Sequence, residues 1–289
     1  MAISETIYYH IGDKVFKVIS DLPYQIPDVG TADFRIDEAP ADYTFRFEKV
    51  NGIPERTGRV RIMEEFTFGY EMLNERGEHL RGFHWKERFY DAVLQMGKDE
   101  GVVSYVSHTI MAERCQSGFD FINYLALEQM FLRFGGLFLH SSHVRVGDKA
   151  LLFSAPSGTG KSTQADLWEK HAGAEVMNGD RTLLRKKDGV WHAYGCPMCG
   201  TSGIHKQGNE PIHAIVMLSQ GTDNTVRRLT PGEAFQRMYP EITVPKWNRE
   251  LVLRAMELLD DVMANVPIYA FSCTKDESAV TALREAIGL

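Results

Sequence analysis

The stretch Ser157-Gly158-Thr159-Gly160-Lys161-Ser162-Thr163 combines glycine, hydroxyl and ammonium groups in the order that a chain of phosphates requires. A triphosphate is wrapped by backbone N–H groups at a helix N-terminus, where the partial positive charge of the helix also lies. Gly158 and Gly160 allow backbone angles that side chains forbid. Lys161 is placed to reach the β- and γ-phosphates, and the Ser162 hydroxyl to bind a magnesium ion. Ser154 and Ala155 stand near the first glycine of the longer pattern G-x-x-x-x-G-K-[ST], so the match is to the tighter S-G-x-G-K-[ST].

Such a loop works only between a strand and a helix. The apolar run Ala150-Leu151-Leu152-Phe153 predicts a buried strand before it, and Ser162 to His171 a helix after it. Two further polar residues end apolar runs. His140 closes Gly135 to Leu139, and Asp180 closes Ala174 to Gly179. Ligands of α/β sheets gather at the carboxyl ends of strands, which brings Asp180 towards the phosphate loop as a metal-binding or catalytic carboxylate.

This combination, His140, Ser157 to Ser162 and Gly179-Asp180-Arg181, resembles HPr kinase and its fold relative, ATP-dependent phosphoenolpyruvate carboxykinase. Within that superfamily the chain is most similar to HPr-kinase-related proteins with a C-G-T-S-G-I-H segment, here Cys199 to His205. The resemblance covers about residues 135–289. It implies a PEP-carboxykinase-like, HPr-kinase-like nucleotide-binding core of α/β (α+β) class, with ATP and Mg as cofactors. HPr kinases pair two aspartates before the arginine, whereas this chain has Asn178-Gly179-Asp180. Asn178 does not accept a proton at neutral pH, so the general base is left between Asp180 and His140, whose ordinary pKa near 6.5 suits the task. The departure also favours a nucleotide-binding regulatory module without turnover as the rival reading. An orthodox P-loop small-molecule kinase is a third, disfavoured by the loop's place after a strand carrying His140. A true carboxykinase is disfavoured by the short chain.

Lys161, Asp180 and His140 are therefore the candidate catalytic residues, Ser157 to Thr163 the nucleotide cradle, and Ser162 and Asp180 the metal ligands. Arg181, Thr201, Ser202, His205 and Lys206 are candidates for holding the acceptor, because Gly195 to Gly208 is poor in large apolar residues, reads as a loop, and loops on a rigid scaffold carry substrate groups. A flexible solvent loop explains the same composition. His143 is a weaker candidate than His140, and of Arg227 and Arg228, alternating along a short strand, at most one can face a site. Phosphoryl transfer is mainly positioning and charge stabilisation, and these residues supply a cradle, a metal site, a cation and a group to orient a hydroxyl. The expected partners are a nucleotide and a hydroxyl-bearing peptide, protein or small molecule, with serine the default acceptor by analogy. A homo-oligomer is compatible with this reading.

The chain has 289 residues, 44% hydrophobic and 25% charged, enough for one large or two modest cores. A net charge of −7, with both signs interspersed, gives no basic field for nucleic acid or anionic membrane. No apolar run approaches the roughly 20 residues that span a bilayer, and Met1 to Thr6 lack signal-peptide features, so a cytoplasmic protein is expected. Four cysteines are few for a disulfide scaffold. Cys196-Pro197-Met198-Cys199 has metal-ligand or redox spacing but no second pair at zinc-module spacing.

Residues 1–116 read as mostly β. Thr6 to Ile11, Lys14 to Ile19 and Tyr43 to Val50 alternate aromatic and β-branched residues, with turns at Gly12-Asp13, Asn51-Gly52 and Arg76-Gly77. Val60, Ile62, Phe66, Phe68, Tyr70, Phe83 and Trp85 are candidate inward residues, and the Arg81 to Arg88 cluster, with His84, Trp85 and Lys86, reads as a solvated sheet face. Residues 117–289 are expected to hold a linking helix over Ser117 to Phe134 and then the nucleotide core. Lys186 to Gly189 predicts a hairpin, Ile212 to Leu218 a buried strand, and helices follow from Pro231, over about Asn248 to Ala264, and over Ser278 to Ile287.

Overall fold

The computed structural model describes residues 5–53, 61–66, 69–76, 78–84 and 90–289. The expectations on Val60, Phe68, Gly77 and residues 85–88 lie outside these. Among the described residues the chain is a mixture of α and β, with two large mixed sheets and seven α-helices. It divides into two compact units, Met1–Leu127 and Glu128–Leu289. The division falls inside the stretch expected to be one linking helix. That stretch is instead broken into α2 (Gly118–Ile122), a 3-10 turn over Asn123–Leu125, and α3 (Leu127–Arg133), following α1 (His108–Arg114). The break has a local cause, because Ala126 takes a left-handed conformation at φ 46° that no helix continues through.

The first unit is a nine-stranded sheet in the order β3-β1-β2-β4-β9-β8-β7-β6-β5. Its strands are β1 (Glu5–Ile11), β2 (Lys14–Ser20), β3 (Arg35–Ile36), β4 (Tyr43–Lys49), β5 (Arg61–Phe66), β6 (Gly69–Leu73), β7 (His79–His84), β8 (Tyr90–Met96) and β9 (Glu100–Tyr105). The alternation read in the sequence puts Phe16, Val18, Phe45 and Phe47 on the buried side. Phe47 stacks on Phe121 of α2 with ring centroids 4.5 Å apart, and Phe83 meets Tyr124 at 4.3 Å.

The second unit is organised by β10 (Gly136–Val146), which changes partners midway. Its first half, Gly136 to His140, pairs with β13 (Arg181–Lys187). Its second half pairs with β11 (Lys149–Ser154) along one edge and with β12 (Glu175–Asn178) along the other. The turn Gly179-Asp180 between β12 and β13 therefore lies level with His140 to Ser142, where Ser141 N donates to Asp180 O (3.0 Å) and Ser142 Oγ to Gly179 O (3.1 Å). β13 and β14 (Val190–Tyr194) form the expected hairpin, with Asp188 and Gly189 both at positive φ. β15 (Asn209–Gln220) runs antiparallel to β14 and parallel to both β11 and β17 (Ile268–Cys273), and β16 (Thr225–Arg228) closes the edge.

Helices cover this sheet with two cores. α5 (Pro231–Met238) and α6 (Arg249–Asn265) bury Met238, Leu251, Leu259 and Val262 against Leu139, Leu152 and Ile215. α4 (Lys161–Ala172) and α7 (Glu277–Ile287) bury Trp168, Ala279 and Leu283 against Leu151, Phe153 and Val216. Successive residues of β11 thus point into opposite cores, which is why Ala150 to Phe153 is apolar throughout. No helix among the described residues is long and apolar enough to cross a membrane.

Candidate nucleotide site

β11 ends at Ser154, its hydroxyl donating to His140 O (2.8 Å), and the chain turns through 155–160 into α4. Gly158 (φ 79°) and Gly160 (φ 122°) both hold angles that side chains rarely adopt, and a Cβ on either would meet nothing within 4 Å. These glycines are there for conformation and leave open space outside the loop. Gly160 is the N-cap of α4 and makes no side-chain cap bond, so the first amides of the helix stay available to an anion. Lys161 is buried and donates to Ala155 O (2.9 Å). Burial pushes its pKa down from the ordinary lysine value, and the Asp180 and Glu241 carboxylates oppose that. Gln220, at the end of β15, donates weakly to the carbonyls of Gly158 (3.5 Å) and Thr159 (3.4 Å) and steadies the loop from behind.

The loop forms one wall of a cavity of about 500 Å³, and His140, Ser142, Gly179, Asp180 and Ser202 contribute to the other. Two carboxylates address His140. On one flank is Asp180, with Oδ1 3.3 Å from His140 Nε2. On the other is the 3-10 turn Tyr239–Glu241, tied to β10 by a Leu139–Ile242 bridge and by Thr243 N donating to Phe138 O (2.9 Å). It places the buried Glu241 Oε2 2.9 Å from His140 Nδ1. The His140 hydrogen bond, with Arg181 and Lys161 nearby, holds the Asp180 carboxyl below the usual carboxylate range, although burial pulls the other way. Asp180 is thus an ionised, oriented oxygen donor.

Asn178 explains the turn that carries Asp180. It is fully buried, its Oδ1 accepts from the amides of Asp180 and Arg181 (both 2.9 Å), and its Nδ2 donates to the carbonyls of Cys196 and Met198 (both 3.0 Å). Two N–H groups on one side and two carbonyls on the other fix the amide and require both a donor and an acceptor. An aspartate here would face two buried carbonyls. At Gly179 a Cβ would lie 2.3 Å from Ser202 Oγ and 2.5 Å from Ser202 Cβ, so the second acid of the HPr-kinase pattern has no room.

The expected acceptor residues divide. Ser202 lines the cavity, its Oγ donating to Cys199 O (2.7 Å). Arg181 is outside the cavity lining, with Nε 3.4 Å from Asp180 Oδ2 and Nη1 donating to Thr243 Oγ1 (2.7 Å). Thr201 lies in the 3-10 turn Gly200–Ser202. His205 bridges to Asn178, and Lys206 is outside the cavity lining, donating to Glu175 Oε1 (2.8 Å). His143 is fully buried, 3.2 Å from Glu210 Oε2, and belongs to a charge network with Arg145 and Glu175 rather than to the cavity. The segment 195–208 is a built loop, closed at its base by Gly195 N donating to Gly208 O (3.1 Å) and pinned by Asn178 and Lys206. Cys196 and Cys199 are buried within it, and burial pushes the Cys196 thiol up to about 12, which makes it inert. Arg227 is ion-paired to Glu233 (2.9 Å).

Sequence patterns do not mark Glu241, which lies 101 residues from His140. The one available signal is a lone acid in the otherwise uncharged stretch Met238 to Pro245. The packing role of Gly179 and the four bonds of Asn178 have no sequence signature at all.

No protein-family model matches the chain, and no curated protein sequence does. Among solved structures, the HPr(Ser) kinase/phosphatase from Coxiella burnetii is similar over 52% of this chain and 92% of its own, at 12% identity and a TM-score of 0.29.

Proposed function

We propose that this chain is a magnesium-dependent phosphotransferase that moves the γ-phosphoryl group of ATP to a serine-like hydroxyl of a peptide, protein or small metabolite. The observation that carries this reading is one cavity with an uncapped glycine loop and Lys161 on one wall and Asp180 and His140 on the other, His140 being held from behind by the buried Glu241. The loop amides bind the phosphate chain, and Lys161, released from Ala155 O, stabilises the charge that spreads over the transferred group. Asp180 orients the acceptor hydroxyl and takes its proton as the oxygen–phosphorus bond forms. His140, fixed by Glu241, keeps Asp180 in place, and Arg181 offers a cation to an anionic acceptor.

A magnesium ion fits the donor set. Ser162 and Asp180 supply a hydroxyl and a carboxylate to the same cavity, and magnesium bound with nucleotide needs only one or two protein oxygens beside phosphates and water. Bound there, it neutralises charge on the phosphates. Among the described residues no group of three or more His, Cys, Asp and Glu is arranged to hold a metal ion. The rival reading, a cytoplasmic regulatory module that senses nucleotide without turnover, is favoured by Gly179 standing where a second acid is expected.

Incubation with γ-labelled ATP and magnesium, against a pool of hydroxy metabolites and serine peptides, decides between them. Label on an acceptor, lost in Lys161→Ala, supports the kinase. Nucleotide binding without transfer or hydrolysis supports the module.

A further inference from the structure

We propose that Ser202 is itself a phosphoryl acceptor, an internal serine modified by the chain's own nucleotide site. The inference rests on the kinase reading and names one substrate for it. Ser202 shares the cavity with Lys161, Ser162 and Asp180. Its hydroxyl occupies the space that a side chain at Gly179 would fill, directly beside the turn carrying Asp180. Gly200 (φ 56°) brings the same loop against the carboxylate, since a Cβ there would lie 2.7 Å from Asp180 Cγ. The loop is anchored by Asn178 and Lys206, and Ser202 itself is exposed, so its hydroxyl is open to a phosphoryl group. The other hydroxyls of the cavity are placed differently. Ser142 is fully buried and donates to Gly179 O, while Ser157, Ser162 and Thr163 belong to the cradle itself.

The step is a displacement at phosphorus. The Ser202 hydroxyl turns from Cys199 O towards Asp180, and its oxygen forms a bond to the γ-phosphorus. The bond from that phosphorus to the β–γ bridging oxygen breaks, ADP leaves with the electron pair, and the hydroxyl proton passes to solvent water. No oxidant or other co-reactant is consumed.

The test is to incubate the full chain with ATP and magnesium, then follow intact mass, site-resolved peptide mass and ADP release, with nucleotide binding measured separately by calorimetry. Expected is one added phosphoryl group on Ser202, formed at a rate independent of protein concentration, absent in Lys161→Ala and Ser202→Ala, and moved to the new hydroxyl in Ser202→Thr. Lys161-dependent ADP release with Ser202 unmodified overturns the inference and leaves the kinase reading standing. Modification proportional to protein concentration overturns internal transfer. Absence of nucleotide binding overturns both. If Ser202→Ala fails to fold, the label position in wild type and in Ser202→Thr still decides.

Discussion

The two walls of the cavity use glycine in opposite ways. On the phosphate-loop wall, Gly158 and Gly160 hold positive φ with empty space where side chains would project. On the facing wall, Gly179 is crowded against Ser202, and Gly200 against Asp180, closely enough that a Cβ could not enter without moving backbone. The first pair leaves open space outside the loop. The second lets two segments of the chain touch, so that the carboxylate and the loop beside it form a single unit. In the proposed reading the first wall is a receptor and the second a packed support, and substitutions separate them.

The largest effect is expected from removing the charge of the receptor wall. Lys161→Ala lowers phosphoryl transfer by about a hundredfold or more, with unchanged thermal stability, because its ammonium group donates to a loop carbonyl; kinetics and calorimetric unfolding check both halves. Asn178→Asp strikes the support. It turns two buried donors into acceptors facing carbonyls, which costs on the order of 3 kcal/mol of stability, measurable by denaturant unfolding, and a variant as stable as wild type would dissolve the distinction between the walls.

The glycines sharpen it. Gly160→Ala costs about 2 kcal/mol from backbone strain and weakens nucleotide binding. Gly179→Ala costs about 1–3 kcal/mol from overpacking, disturbs Ser202 and leaves nucleotide affinity within about threefold, the scale of a small perturbation. The smallest effect is in pH. Asp180 has a folded pKa below the 3.8 of an ordinary aspartate. Its contribution to stability is therefore fully present above 3.8 and is lost as pH falls through the lower folded value. The largest cause of that depression is the His140 hydrogen bond, so His140→Ala moves the acid limb of transfer upward; an unmoved limb would detach His140 from Asp180.

The strand, glycine turn and helix of the loop wall were legible in the sequence because their pattern is local, and both elements stand where the apolar run and the helical segment put them. The support was not legible, because its parts come from distant segments. Asp180 lines the loop's cavity as its place at a strand end implied, but Glu241 meets His140 only after α5 and its 3-10 turn dock along β10. Gly179 read as a missing acid, and its reason emerges only where Ser202 packs on it. The strands of the first unit were partly visible from alternation, but their order was not. The parallel β2–β4 and β4–β9 pairings join strands that periodicity cannot match to one another. The helix expected over Ser117 to Phe134 shows the limit of apolar spacing, which persists through the left-handed turn at Ala126.

The most direct measurement is a calorimetric titration of the full chain with ATP and magnesium, wild type beside Lys161→Ala. The account predicts saturable one-site binding in wild type that is lost in the variant. Equal binding by both proteins, or none by wild type, would contradict the assignment of this loop as a nucleotide cradle.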